Sequence, residues 1–218
     1  MTRETVRSRI QEIGIIPAVR VNTAEDAMFA AETVAASGIP IVEMTMTVPG
    51  AVDVICRLVK ENPGLVVGGG TVLDTETAKR CLDAGACFIT SPGLALDVVE
   101  FALKHGTVVF PGALTPTEII LAWKAGADFV KIFPCSLMGG AGYVKALKSP
   151  FPQVPMIASG GVNQQTVCEF IRAGAVAVGI GRELIPVDAV KRRQADWIRE
   201  LAGRYLNLIA EMREQMEG

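Results

Sequence analysis

Short apolar runs alternate along this chain with longer stretches in which apolar residues recur at helical spacing. Eight runs stand out: Ile15 to Val19, Ile41 to Met44, Leu65 to Val67, Cys87 to Thr90, Val108 to Phe110, Phe129 to Phe133, Met156 to Ala158 and Val176 to Gly179. Their length predicts strands, whereas the segments between them, such as Thr23 through Ser37 and Ser91 through Lys104, carry helical spacing and capping residues near their starts. Before the first run, Met1 to Ile13 mixes Arg and Glu with Val6, Ile10 and Ile13 and reads as an amphipathic helix rather than a signal peptide. Ala84-Gly85-Ala86, Ala125-Gly126-Ala127 and Ala173-Gly174-Ala175 recur where a helix should hand over to a strand, as expected of glycine closing a helix in the left-handed conformation. Strand followed by helix, eight times and without a linker, predicts an α/β fold, a (β/α)8 TIM barrel with an extra N-terminal helix. Residues 1–218 should form one domain. A doubly wound sheet also alternates strand and helix, but no two-half organisation is evident.

Composition narrows the function. The 218 residues are half apolar with a net charge of −2, enough for a substantial core and with no Lys/Arg block to suggest nucleic acid. No apolar stretch approaches the roughly 18 residues of a membrane span, so no membrane partner is expected. Cys56, Cys81, Cys87, Cys135 and Cys168 are scattered and odd in number, which fits reduced thiols in a cytoplasmic protein. His105 is the single histidine and sits at an expected helix end. A Ser-His-Asp triad or a histidine-rich zinc site is therefore not expected, and no carboxylate cluster suggests a metal, so neither metal nor cofactor is expected.

Lysine and carboxylate chemistry remains. Lys131 lies inside Asp128-Phe129-Val130-Lys131-Ile132-Phe133-Pro134, an apolar run that should be buried. An ordinary lysine, with a pKa of about 10.4, is almost wholly protonated at neutral pH; burial disfavours the ammonium and can make the amine a Schiff-base nucleophile. Glu43 in the second run and Arg20 at the end of the first should face the same barrel mouth, where strand C-termini converge. There a carboxylate and a lysine could share protons, and an arginine could bind a carboxylate. A purely structural Glu43–Lys131 ion pair is the alternative. Gly68-Gly69-Gly70-Thr71 after the third strand offers backbone free to approach a ligand. Ser159-Gly160-Gly161 and Gly179-Ile180-Gly181-Arg182 follow the seventh and eighth strands, where barrels often bind phosphate; tight turn geometry is the simpler reading of either loop. No P-loop or dinucleotide fingerprint occurs.

Val42-Glu43-Met44-Thr45, Gly69-Gly70-Thr71-Val72-Leu73, Ser91-Pro92-Gly93, Pro111-Gly112-Ala113-Leu114-Thr115-Pro116-Thr117-Glu118, Val130-Lys131-Ile132-Phe133-Pro134 and Ser159-Gly160-Gly161-Val162 occur in one order. Over about residues 10 to 190 the chain thereby resembles the 2-keto-3-deoxy-6-phosphogluconate (KDPG) and 4-hydroxy-2-oxoglutarate (KHG) aldolase family. The resemblance implies a homotrimeric barrel acting as a metal-independent class I aldolase of carbohydrate metabolism. Its substrate would be a 2-keto-3-deoxy sugar acid, cleaved reversibly to pyruvate and an aldehyde. By motif, Lys131 matches the Schiff-base lysine and Glu43 the general acid/base; Thr71 matches a hydroxyl that holds the pyruvyl carboxylate. Gly160, Gly161 and Gly181 match backbone sites for the substrate phosphate, with Ser159 and Arg182 beside them. Three positions depart from the common pattern. Thr47 stands where many members carry a carboxylate-binding arginine, which Arg20 on the first strand would replace; Ala158-Ser159 stand where Pro-Thr is common; and Arg182 follows the last glycine where serine is common. Phosphogluconate, hydroxyoxoglutarate and phosphogalactonate substrates all remain open, as does a catalytically silent sugar-phosphate-binding or assembly protein.

Overall fold

In the computed structural model, which describes residues 1–217, one sheet curls into a barrel of parallel strands. Helix α1 (Arg3–Ile13) precedes β1 (Ile15–Val19), α2 (Ala24–Ala36), β2 (Ile41–Thr45), α3 (Ala51–Glu61), β3 (Val66–Gly70), α4 (Thr75–Asp83), β4 (Phe88–Thr90) and α5 (Leu96–Lys104). The second half runs β5 (Val108–Phe110), β6 (Gly112–Ala113), α6 (Pro116–Lys124), β7 (Val130–Ile132), α7 (Gly140–Lys148), β8 (Met156–Ser159), α8 (Val167–Arg172), β9 (Ala175–Ile180), α9 (Val187–Lys191) and α10 (Ala195–Glu217). The expected TIM-type barrel with its extra N-terminal helix is present.

Nine strand segments rather than eight result from Pro111, which has no N–H to give to a ladder. It splits the fifth run: β5 pairs with β4, and β6, just beyond the proline, pairs with β7. Lys131 N–H donates to Pro111 O at 3.0 Å and Asp128 N–H to Val109 O at 2.9 Å, so the same seam also closes the barrel. Asp128 is buried, and its carboxylate accepts from Val109 N–H at 2.9 Å while Arg3 and Arg7 of α1 sit against it at 3.0 and 3.3 Å.

Strand residues alternate between the barrel interior and the helical layer, as period 2 requires. Ile16, Ile41, Val66, Phe88, Val108, Phe110, Phe129, Ile157 and Ala177 form one buried cluster, closed from below by Val6 and Ile10 of α1. Val42, Met44, Val130, Ile132, Met156, Ala158 and Val178 belong instead to the larger cluster beneath the helices. Burying Val6 and Ile10 contributes about 3–6 kcal/mol before ordering costs. Thr2 caps α1 and Thr23 caps α2. The second expected helix begins later than its sequence suggests, because Ser91 bonds Gly93 O in a turn and α5 starts only at Leu96. The Ala-Gly-Ala repeats do place Gly85, Gly126 and Gly174 at φ of +92° to +98°. In α10, Leu201, Tyr205 and Ile209 are buried as a packing face, with Trp197 partly exposed.

Candidate active site

The alternation that puts Ile41 and Phe129 inside the barrel also puts Glu43 and Lys131 there, one step nearer the mouth. Lys131 Nζ lies 3.6 Å from Glu43 Oε2, with the two residues only 4 % and 2 % exposed. Burial penalises both charges, and among the described residues each is the other's only ion-pair partner. Lys131 Nζ also stands 5.6 Å from the centre of the Phe133 ring. Glu43 Oε1 is buried and has no hydrogen-bond partner among the described residues.

Gly68-Gly69-Gly70 has a different use from the ligand approach expected of it. A Cβ on Gly68 would meet the Phe88 ring at 2.1 Å, one on Gly69 would meet Cys81 Sγ at 2.7 Å, and one on Gly70 would meet Glu43 Oε1 at 2.1 Å. Each glycine makes room for a side chain of the protein itself. Gly70 thus provides the floor under the Glu43 carboxylate, a role that a glycine run alone does not disclose.

Thr71 follows at φ +60°, a left-handed conformation that costs a non-glycine residue about 1–3 kcal/mol and is common where function fixes the backbone. Val72 N–H to Thr90 O, 3.1 Å, holds the turn, and the Thr71 hydroxyl has no hydrogen-bond partner among the described residues. At the opposite side of the mouth, Arg20, Ser159, Gly160, Gly161, Arg182 and Glu183 are among the residues lining a cavity of about 280 Å3. Lys131 and Glu43 are buried outside the lining of this cavity and of the larger clefts elsewhere on the surface; Phe133, two residues after Lys131, connects the pair to the cavity wall. Arg20 and Arg182 are exposed and have no ion pair among the described residues.

Gly160 and Gly161 adopt φ of +90° and +85°, and the turn is packed by the segment after β7: Ser136 N–H donates to Gly160 O at 3.0 Å, and Ser136 Oγ fills the space a Gly161 Cβ would need. The N–H groups of Gly160, Gly161 and Gly181 have no backbone acceptor among the described residues, which makes this wall suitable for an anion. Arg20 shares the lining of this cavity with the glycine loops, whereas Thr71 does not line it.

Cys135 and Cys81 belong to the buried cluster beneath the helices, and burial pushes both thiols up to about 11, so neither is a nucleophile at neutral pH. His105 caps α5 far from the mouth, its Nδ1 2.8 Å from Phe101 O. Among the described residues no group of three His, Cys, Asp or Glu side chains could hold a metal. A buried amine beside a buried carboxylate, with anion-binding positions to one side, can form an imine with a carbonyl compound and shuttle protons about it.

Comparison with known proteins agrees with that chemistry. The family model for KDPG and KHG aldolase matches residues 6–201. A 2-dehydro-3-deoxy-phosphogluconate aldolase of Pseudomonas aeruginosa is 31 % identical over 205 residues, 93 % of this chain and 92 % of that protein. The KHG/KDPG aldolase of Escherichia coli K12 is 31 % identical over 188 residues, 86 % and 88 % of the two chains. Among solved structures, KDPG aldolase from Legionella pneumophila, with pyruvate captured as a covalent carbinolamine intermediate, superposes with a TM-score of 0.84 at 29 % identity, covering 90 % of this chain and 96 % of that one. A cage designed by fusing symmetric oligomeric domains superposes at 0.86 and 29 % identity, covering 94 % and 75 %. Aldolases are lyases, and this chain belongs to the KDPG and KHG aldolase family.

Proposed function

We propose that this aldolase reversibly cleaves 2-keto-3-deoxy-6-phosphogluconate to pyruvate and glyceraldehyde 3-phosphate through an imine on Lys131. The observation that carries the reading is the buried Lys131–Glu43 pair, 3.6 Å apart inside the barrel mouth. Neutral Lys131 Nζ attacks the C2 ketone, and Glu43 gives and takes protons as the carbinolamine loses water to become an iminium. Glu43, directly or through a water, then accepts the proton of the C4 hydroxyl. The C3–C4 electron pair moves into the iminium, the aldehyde departs, and an enamine remains. Protonation at C3 and hydrolysis of the imine release pyruvate and restore the amine.

Arg20 and Thr71 are assigned to the pyruvyl carboxylate, where their contribution is to align the C3–C4 bond with the imine system. Ser159, Gly160, Gly161, Gly181 and Arg182 are assigned to the distal phosphate. Support comes from the unpaired guanidinium of Arg182 and the open N–H groups on one cavity wall.

That wall also supports a second reading. Arg182 offers a planar fork suited to a carboxylate, so 4-hydroxy-2-oxoglutarate, yielding pyruvate and glyoxylate, is the alternative substrate; the phosphogalactonate epimer is a third. Pyruvate release from the three compounds under identical conditions tests the choice. At least tenfold higher kcat/KM for the phosphogluconate is expected, and a preference for the unphosphorylated acid would move the assignment to KHG.

We further assign a homotrimer in the cytoplasm. Leu73, Leu96, Leu121, Leu137 and Met138 are large apolar side chains left exposed on a single chain, which supports association. All five cysteines are free, which suits a reducing compartment. No described helix is long and apolar enough to cross a membrane. Light scattering should give the mass of three chains; a monomer would remove the trimer assignment.

A further inference from the structure

Thr45 is the last residue of β2, fully buried, and shares the inward face of that strand with Glu43. The backbone register joins Ala18 to Glu43 and Val19 to Met44 and goes no further, while Thr45 itself pairs on its other side with Gly70. Beyond that point a side chain takes over: Thr45 Oγ1 donates to Val19 O at 2.8 Å. Thr47 Oγ1 lies 2.7 Å from Thr45 Oγ1. A hydroxyl has one proton to give, and Thr45 gives its proton to Val19 O, so Thr47 is the donor to Thr45. The hydroxyls thus form an ordered chain, Thr47 to Thr45 to Val19, that ends on the carbonyl of the peptide bond leading into Arg20.

Arg20 leaves the barrel between two fixed points, Val19 on one side and buried Val21 on the other, and its side chain reaches the cavity without an ion pair of its own among the described residues. Among the described residues no hydrogen bond or ion pair holds its guanidinium, so the backbone beneath it sets where the side chain starts. We propose that Thr45 is a positioning residue for carboxylate binding: through its bond to Val19 O, supported by Thr47, it fixes the end of β1 and hence the origin of the Arg20 side chain. The inference rests on the assignment of Arg20 to the pyruvyl carboxylate.

Thr33 supplies a comparison. It too is buried and donates its hydroxyl to a backbone carbonyl, Phe29 O at 2.7 Å, but within α2 and outside the residues assigned to the site. A merely structural hydroxyl would behave alike at both positions. The test measures borohydride capture of pyruvate as a function of pyruvate concentration, with melting temperature, for wild type, T45V, T45S, T47V, T33V and R20A.

Loss of positioning in T45V should raise the half-saturating pyruvate concentration about tenfold while leaving the capture rate at saturation within about twofold, the signature of weakened binding rather than weakened chemistry. T45S should restore the wild-type value, T33V should leave it unchanged, and T47V, changed at an exposed site and so expected to fold, should shift in the same direction by about twofold to threefold. If R20A shifts the concentration dependence but neither T45V nor T47V does, or if T33V shifts it as much as T45V, Thr45 has no positioning role. An unshifted R20A would instead refute the carboxylate assignment of Arg20, and the inference with it.

Discussion

Replacing Gly70 by alanine isolates how Glu43 is held. The added Cβ would lie 2.1 Å from Glu43 Oε1, 2.4 Å from its Cγ and 2.5 Å from its Cδ, whereas ordinary contact begins near 3.4 Å. The shortest approach requires a retreat of about 1.3 Å from that carboxylate oxygen. Strand β3 cannot easily absorb it, because Gly70 is paired with Thr45 and accepts from Met46 N–H at 2.8 Å. The carboxylate therefore moves, and it moves relative to an amine now 3.6 Å away. Misplacing a reacting group by about 1 Å costs about a hundredfold in rate, or about 2.7 kcal/mol of transition-state stabilisation. Steady-state pyruvate release should show kcat down by that factor in G70A. Stability alone does not account for such a loss, and G69A provides the control: its Cβ would press on Cys81 Sγ at 2.7 Å, behind the strand. Both variants should lose about 1–3 kcal/mol of stability from overpacking, but G69A should keep most of its kcat. A G70A enzyme within threefold of wild type, or a G69A enzyme equally impaired, would refute the role given to Gly70.

Two further outcomes follow from the scaffold. Asp128→Ala strips the acceptor from buried Val109 N–H and leaves Arg3 and Arg7 without their shared carboxylate, which should cost about 3 kcal/mol and lower the melting temperature by about 6–12 °C; a fall under 2 °C in calorimetry would show that the seam does not depend on it. Glu118 accepts from the N–H groups of Thr115 and Leu114 in the capping box of α6, and these hold its carboxyl below the usual 4.5. A depressed carboxyl stabilises the fold above its unfolded pKa and loses that contribution as the pH falls through the folded one. The stability difference between wild type and E118Q should accordingly be constant above about pH 4.5 and shrink on further acidification; a difference that grows toward acid pH would contradict the assignment.

Much of this barrel is written in strand-length apolar runs, because a strand buried on both faces has no polar alternation to blur it. Inside the runs, parity does the rest: Lys131 shares the inward side with Phe129, and Glu43 with Ile41, so the candidate pair can be placed from sequence once the strands are known. What escaped depends on contacts between strands. β3 runs through Gly68 to Gly70, beyond the apolar run that ends at Val67, since glycine carries no strand signal and its value here lies in the side chains of Phe88, Cys81 and Glu43 that occupy its space. Pro111 divides a strand in two because its missing N–H matters only against particular neighbours. Thr45 reads as an ordinary β-branched strand residue until Val19 O is found 2.8 Å from its hydroxyl. Asp128 looks like the polar start of a strand, and only the arrival of α1 beneath the barrel shows why a carboxylate is buried there.

Imine formation on Lys131 is tested most directly by reducing the enzyme with borohydride in the presence of pyruvate and excess chelator, then mapping the modified peptide by mass spectrometry. Wild type should gain one reduced pyruvyl adduct on Lys131 and K131A should gain none, whereas equal labelling of both proteins, or an adduct on another lysine, would contradict Schiff-base catalysis at this site.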